Sequence, residues 1–106
     1  MAEQFVKDKI KGDKVVLFIK PTCTYCVLAQ EILAKYKIKA ECLEKVDISD
    51  MGNMSDIQDC LLKKTGARTV PRVFIGEECV GGGSDVAALH HGDKLQGMLE
   101  KIGVLE

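Results

Sequence analysis

Along the chain, apolar positions alternate between the three-to-four-residue spacing of a helix and the unbroken runs of a buried strand, with glycine, proline or polar residues at the changes. Ala2, Phe5, Val6 and Ile10 recur at helical spacing, which predicts a helix over residues 3–11 stopped by Gly12. Val15-Val16-Leu17-Phe18-Ile19 is a continuous β-branched and apolar run, suited to a strand covered on both faces, and Pro21 ends it. Leu28, Ala29, Ile32, Leu33 and Tyr36 then share one face of a helix over 24–35. A weaker strand is predicted over 41–47, where Glu44 and Lys45 interrupt the apolar positions. Met54, Ile57, Leu61 and Leu62 mark a helix over 53–65, with Lys63 and Lys64 near its end and Gly66 just after it. Val73-Phe74-Ile75 and Cys79-Val80, separated by Gly76-Glu77-Glu78, read as an antiparallel hairpin. Two short helices follow, one over 85–90 and one through Leu95, Met98, Leu99 and Ile102, divided by Gly92.

The order α-β-α-β-α-β-β-α-α contains no internal repeat, low-complexity tract or flexible linker. A right-handed crossover makes the first two strands parallel, and the later hairpin adds antiparallel strands to the same sheet. The expected architecture is an α/β domain of three layers.

Composition narrows the class. A chain of 106 residues, 46% hydrophobic and 29% charged, fits one domain spanning residues 1–106. Its 15 basic and 16 acidic side chains give a net charge of -1 and are spread along the whole length, which leaves no broad basic surface for nucleic acid or anionic lipid. The first nine residues are charged throughout and lack the apolar stretch of a secretory signal, and the run Val15 to Ile19 is too short to span a bilayer. A soluble, cytoplasmic, monomeric protein is expected. Five cysteines is a high and odd count, and in a reducing compartment a close Cys-x-x-Cys pair reads as redox-active or metal-binding rather than as a structural staple.

Cys23-Thr24-Tyr25-Cys26 stands where the buried strand turns into an amphipathic helix. With Cys23 at the N-cap, its sulfur can accept from the backbone N–H groups of Tyr25 and Cys26 and lies at the positive end of the helix dipole, an arrangement that favours the thiolate. Cys26, one turn along and more buried, should remain a thiol until it attacks a mixed disulfide on Cys23. The competing reading is half of a zinc site. Against it, Cys42, Cys60 and Cys79 are single, and the adjacent His90 and His91 point in different directions, so no metal ligand is assigned.

Two further segments carry candidate chemistry. Arg68-Thr69-Val70-Pro71 leads into the hairpin, and a proline opening a strand is either a simple strand start or a rigid turn of the kind that takes a cis peptide. Gly81-Gly82-Gly83-Ser84-Asp85 feeds a helix N-terminus, where backbone N–H groups can approach an anion closely, or where Ser84 simply caps the helix. Without a phosphate-loop lysine, the triplet suits a small carboxylate ligand better than a nucleotide.

Taken together, Lys20-Pro21-Thr22-Cys23-Thr24-Tyr25-Cys26, Thr69-Val70-Pro71 and Gly82-Gly83-Ser84-Asp85 resemble the glutaredoxin (thioltransferase) family over nearly the whole chain, most closely the cytosolic dithiol glutaredoxins of animals. Thioredoxins resemble it less, since they carry tryptophan before a Gly-Pro-containing pair and this chain has no Trp. The resemblance implies a thioredoxin-like fold with a central four-stranded mixed sheet flanked by helices. It implies a glutathione-dependent thiol–disulfide oxidoreductase in which Cys23 attacks protein–glutathione and low-molecular-weight disulfides and Cys26 resolves. Glutathione would be co-substrate, glutathionylated proteins the partners, and no cofactor would be covalently bound. By position, Val70 would pair through its backbone with the cysteinyl part of glutathione beside a cis Pro71, next to Thr69. Ser84 and Asp85, after Gly82 and Gly83, would hold the γ-glutamyl end, with Asp85 facing its ammonium. Lys20, Gln58 and Arg68 would surround the glycine carboxylate, and Tyr25 would line the groove. Ser55-Asp56-Ile57-Gln58 equally matches a capping box, which would assign Gln58 to the helix instead.

Two departures stand out. Thr24 replaces the proline of most close relatives, adding an N–H donor and backbone freedom at the first helical turn. Gly83 replaces a cysteine of some relatives, and Cys42, Cys60 and Cys79 are left as apolar fillers or accessory thiols. Because glutaredoxins without the active-site proline sometimes carry a glutathione-ligated [2Fe-2S] cluster between two chains, that carrier role is the alternative function, with a thioredoxin-type electron donor as another.

Overall fold

The computed structural model describes residues 2–49 and 51–106. Helix α1 (Ala2–Lys9) leads into strand β1 (Val15–Ile19), followed by α2 (Thr24–Leu33), a single 3-10 turn (Ala40–Cys42), β2 (Leu43–Asp47) and α3 (Met54–Thr65). The hairpin β3 (Arg72–Ile75) and β4 (Glu78–Gly81) precedes α4 (Gly83–His91) and α5 (Leu95–Lys101). The order matches the hydrophobic pattern, and the differences lie at boundaries. The second strand begins at Leu43, not at residue 41, because the 3-10 turn takes up Ala40–Cys42. Helix α1 ends at Lys9 and α2 at Leu33, each short of the apolar stripe that marked it. Helix α4 starts at Gly83, two residues before the predicted 85, because Gly82 caps it.

The sheet runs β2-β1-β3-β4, with β1 parallel to β2 and antiparallel to β3, and β3 antiparallel to β4. All five residues of β1 are buried, as a strand covered on both faces requires. Alternation then sorts them. Val15, Leu17 and Ile19 join Val73 and Ile75 in a core closed by Leu33 of α2, Val86 of α4 and Leu95 and Leu99 of α5. Val16, Phe18, Val46 and Phe74 face the other side, under Val6 of α1 and Ile57 and Leu61 of α3, where Phe18 and Phe74 meet edge to face at 5.9 Å. The result is a mixed four-stranded sheet between two helical layers. At the far end of α2, the Tyr36 hydroxyl and His90 Nδ1 share a 2.6 Å hydrogen bond that ties this end of the helix to α4. Burial, and secondarily the charge of Asp93, raise the Tyr36 phenol above its ordinary value, so it stays protonated.

The antiparallel register places Phe18 opposite Arg72, so the chain leaving β1 toward Cys23 meets the chain arriving at β3 through Val70 and Pro71. The N-terminus of α4 packs on the first turn of α2, so closely that a Cβ on Gly83 would meet the Tyr25 carbonyl oxygen at 2.6 Å. Three segments far apart in sequence thus converge at one end of β1.

Candidate active site

Cys23 has extended backbone angles (φ -86°, ψ 119°) and is the N-cap of α2. Its Sγ accepts from the Cys26 N–H at 3.3 Å and sits 3.5 Å from the Val70 carbonyl, to which the thiol donates. The sequence suggested two backbone donors, Tyr25 and Cys26; the structure supplies the one from Cys26. In helix-cap geometry that is the third helical residue, whose N–H points back at the cap side chain. An anionic sulfur at position 23 is therefore met by an N–H group and by the positive end of α2.

Cys26 is wholly buried among Ala29, Val86 and their neighbours. Its sulfur accepts from the Lys20 N–H at 3.5 Å. Burial pushes the Cys26 thiol up to about 12, the hydrogen bond with Cys23 adds to the rise, and the Lys20 N–H opposes it. One cysteine is partly exposed and backed by a donor, while the other is dry and protonated.

Beside Cys23 lies a groove of about 310 Å³. Tyr25, Thr69, Val70 and Pro71 line it on one side, and Gly82, Gly83, Ser84 and Asp85 on the other. The Val70–Pro71 peptide is cis. Ser84 lies inside the first turn of α4 and is exposed, so it does not cap the helix; the Asp85 carboxylate does, accepting from the Gly82 N–H at 2.9 Å through Oδ2. Arg72 also lines the groove, with Nε donating to the Pro71 carbonyl at 3.1 Å. Sequence reasoning passed over it, although a cation directly after the strand-opening proline was visible.

The remaining three candidates are not part of that groove. Lys20, partly buried, contributes its backbone N–H to the Cys26 sulfur. Gln58 is buried and donates Nε2 to the Arg68 carbonyl at 3.1 Å, which anchors the segment leading to Val70. The capping-box reading of Gln58 also falls, because α3 is capped by Asn53 and Ser55 is already inside the helix. The Arg68 guanidinium turns toward Asp59 Oδ1 at 3.4 Å and Ser55 Oγ at 3.5 Å. Among the described residues no cluster of three or more His, Cys, Asp or Glu forms a metal-binding set. Cys42 packs at the edge of one core, while Cys60 on α3 and Cys79 on β4 pack at the edge of the other.

Comparisons with known proteins agree with one another. The sequence model of the Glutaredoxin family matches residues 15–80. The chain is 53% identical to Glutaredoxin-1 of Homo sapiens and 52% identical to Glutaredoxin-1 of Bos taurus, each over 106 residues covering 100% of both proteins. Among solved structures it is similar to a buckwheat glutaredoxin–glutathione complex, with a TM-score of 0.91, 30% identity and coverage of 100% of this chain and 94% of that one. Oxidized glutaredoxin 2 from Chlamydomonas reinhardtii gives a TM-score of 0.90 at 34% identity, covering 98% of this chain and 95% of that one.

Proposed function

The chain belongs to the glutaredoxin family, with a thioredoxin-like fold and glutathione-dependent thiol–disulfide oxidoreductase activity, and from that premise we propose that Cys23 is the attacking sulfur and the neighbouring groove its glutathione site. The observation that carries the reading is a partly exposed thiol at a helix N-cap, beside a groove that ends at a second helix N-terminus. All 106 residues act as one monomeric domain in the cytoplasm, where the glutathione pool supplies electrons. No helix among the described residues is long and apolar enough to cross a membrane.

The Cys23 thiolate attacks the glutathione sulfur of a protein–glutathione disulfide. The sulfur–sulfur bond breaks, the protein thiolate leaves and takes up a proton, and a Cys23–glutathione disulfide remains. A second glutathione thiolate attacks the bound glutathione sulfur, releasing glutathione disulfide and restoring Cys23. The Cys26 route is the slower branch: after losing its proton, Cys26 attacks Cys23 and expels glutathione, leaving a Cys23–Cys26 disulfide. A thiol pushed up to about 12 enters that branch rarely. No covalently held cofactor enters either branch.

In the groove, the Val70 backbone pairs with the cysteinyl part of glutathione as an added strand would, with Thr69, Pro71 and Tyr25 beside it. The N–H groups at the start of α4, from Gly83 and Ser84, face the γ-glutamyl carboxylate, the Gly82 N–H being held by Asp85. Asp85 spends one oxygen on its cap and offers the other to the ammonium. Lys20 and Arg68, beyond the groove, serve the glycine carboxylate together with Arg72. Gln58 acts through the Arg68 carbonyl.

The test is glutathione-coupled turnover of a glutathionylated protein by wild type, Cys23→Ser and Cys26→Ser. Loss with Cys23→Ser and retention of much of the rate with Cys26→Ser is the expected pattern, and equal loss from both would oppose the scheme. Anaerobic supply of iron and sulfide separates the alternative role, since a coloured dimer would mark a [2Fe-2S] carrier. Turnover sustained by thioredoxin reductase rather than glutathione would mark the electron donor.

A further inference from the structure

Cys23 also opens onto a second groove, along the outer face of α2, which the scheme above leaves unused. It has a volume of about 570 Å³ and is lined by Pro21, Cys23, Tyr25, Val27, Leu28 and Glu31, among others. Tyr25 lines both grooves and stands as the wall between them. Three large apolar side chains are exposed on the described surface; Tyr25 (57%) and Val27 (44%) flank Cys23, and the third, Leu62, lies on α3. Glu31 takes part in no ion pair among the described residues.

The spacing of these residues has a counterpart in a polypeptide. Cys23, Val27 and Glu31 recur every four positions, so they form one row along α2 with about 6 Å between neighbours at about 1.5 Å per residue. An extended chain presents side chains on one face every second residue, about 6.6 Å apart. The two repeats coincide over this short row.

We propose that the row docks the polypeptide flanking the glutathionylated cysteine of a protein substrate. Held extended, that segment lays an apolar side chain, two residues from the modified cysteine, over Val27. It brings a basic side chain, four residues away, to Glu31. The occupant follows from continuity with the reactive sulfur: with glutathione on one side of Tyr25, the polypeptide half of the disulfide leaves across the other. Charge complementarity at Glu31 selects the basic residue. The inference rests on the reading of Cys23 and its glutathione groove given above.

Synthetic peptides test it. Each carries a central glutathionylated cysteine, leucine two residues away on both sides, lysine four residues away on both sides, and glycine elsewhere. Comparison peptides exchange leucine for serine or lysine for glutamate. The readout is kcat/KM for the peptide, beside that for the glutathione mixed disulfide of 2-mercaptoethanol. Wild type should favour leucine over serine by about three- to fivefold, less than an enclosed pocket would give because the groove is open. It should favour lysine over glutamate by about threefold. Val27→Ser should erase the first preference and Glu31→Lys reverse the second, both leaving the small disulfide unaffected. Equal turnover of all peptides by wild type, or preferences that survive the substitutions, would overturn the proposal. If wild type fails even on the small disulfide, the underlying reading of Cys23 fails instead.

Discussion

The backbone N–H of Cys26 donates to Cys23 Sγ across 3.3 Å, while the sulfur of Cys26 itself is wholly out of solvent. One residue thereby serves the pair in two opposed ways. Its peptide group supports negative charge at position 23, and its side chain resists carrying any. The division follows from where each group sits on the first turn of α2, with the N–H pointing back to the cap and the side chain pointing down onto the sheet.

A pulse of iodoacetamide near neutral pH, read by peptide mapping, should therefore modify Cys23 rapidly and leave Cys26 untouched until the protein unfolds. The same asymmetry has a stability consequence. Folding raises the Cys26 thiol from 9.0 to about 12, so the folded state holds this proton more tightly than the unfolded chain. That contribution is whole below about pH 9 and is lost as pH climbs from 9 toward 12. In Cys26→Ala the fall of Tm across this interval should be shallower than in wild type. Parallel curves would contradict the assignment.

Gln58→Leu should act on the substrate site from a distance. Removing the amide leaves the Arg68 carbonyl without its donor, at a cost of about 1 kcal/mol in urea unfolding, because that exposed segment can recover water. The segment also sets the position of Val70. KM for a glutathionylated substrate should rise while kcat stays near wild type. A rise in kcat/KM, or unchanged stability, would remove Gln58 from this role.

Much of this molecule could be read from its sequence, because its strongest signals are local. The β1 run is unbroken, its two-sided burial follows from its composition, and a Cys-x-x-Cys at its end marks where α2 begins. Other features depend on partners distant in sequence. Gln58 matches a helix cap by motif, but its partner in the structure, the Arg68 carbonyl, is a backbone atom ten residues on, which no side-chain motif records. Arg68 is assigned by position to the glycine carboxylate, and the Asp59 carboxylate 3.4 Å from it comes within reach only once α3 folds. Ser84 was the natural cap by residue type, but the helix begins earlier, and the cap falls to a glycine assisted by the carboxylate three residues later.

That last arrangement makes Asp85 the residue whose two proposed duties can be separated. One oxygen holds the Gly82 N–H, and the other is offered to the ammonium of glutathione. Asp85→Asn keeps an acceptor for the N–H but no charge, so its stability should stay close to wild type while KM for glutathionylated substrate rises about three- to tenfold, as expected for a partly solvated ion pair. Asp85→Ala removes both and should also unfold about 1 kcal/mol more easily. Gly81→Ala offers an independent route to the same state. Its φ of +113° disfavours any side chain, and a Cβ there would overlap the Asp85 carboxylate and push it off the cap. If Asp85→Asn loses as much stability as Asp85→Ala with no greater effect on KM than on kcat, Asp85 is a cap alone and the ammonium must be held elsewhere.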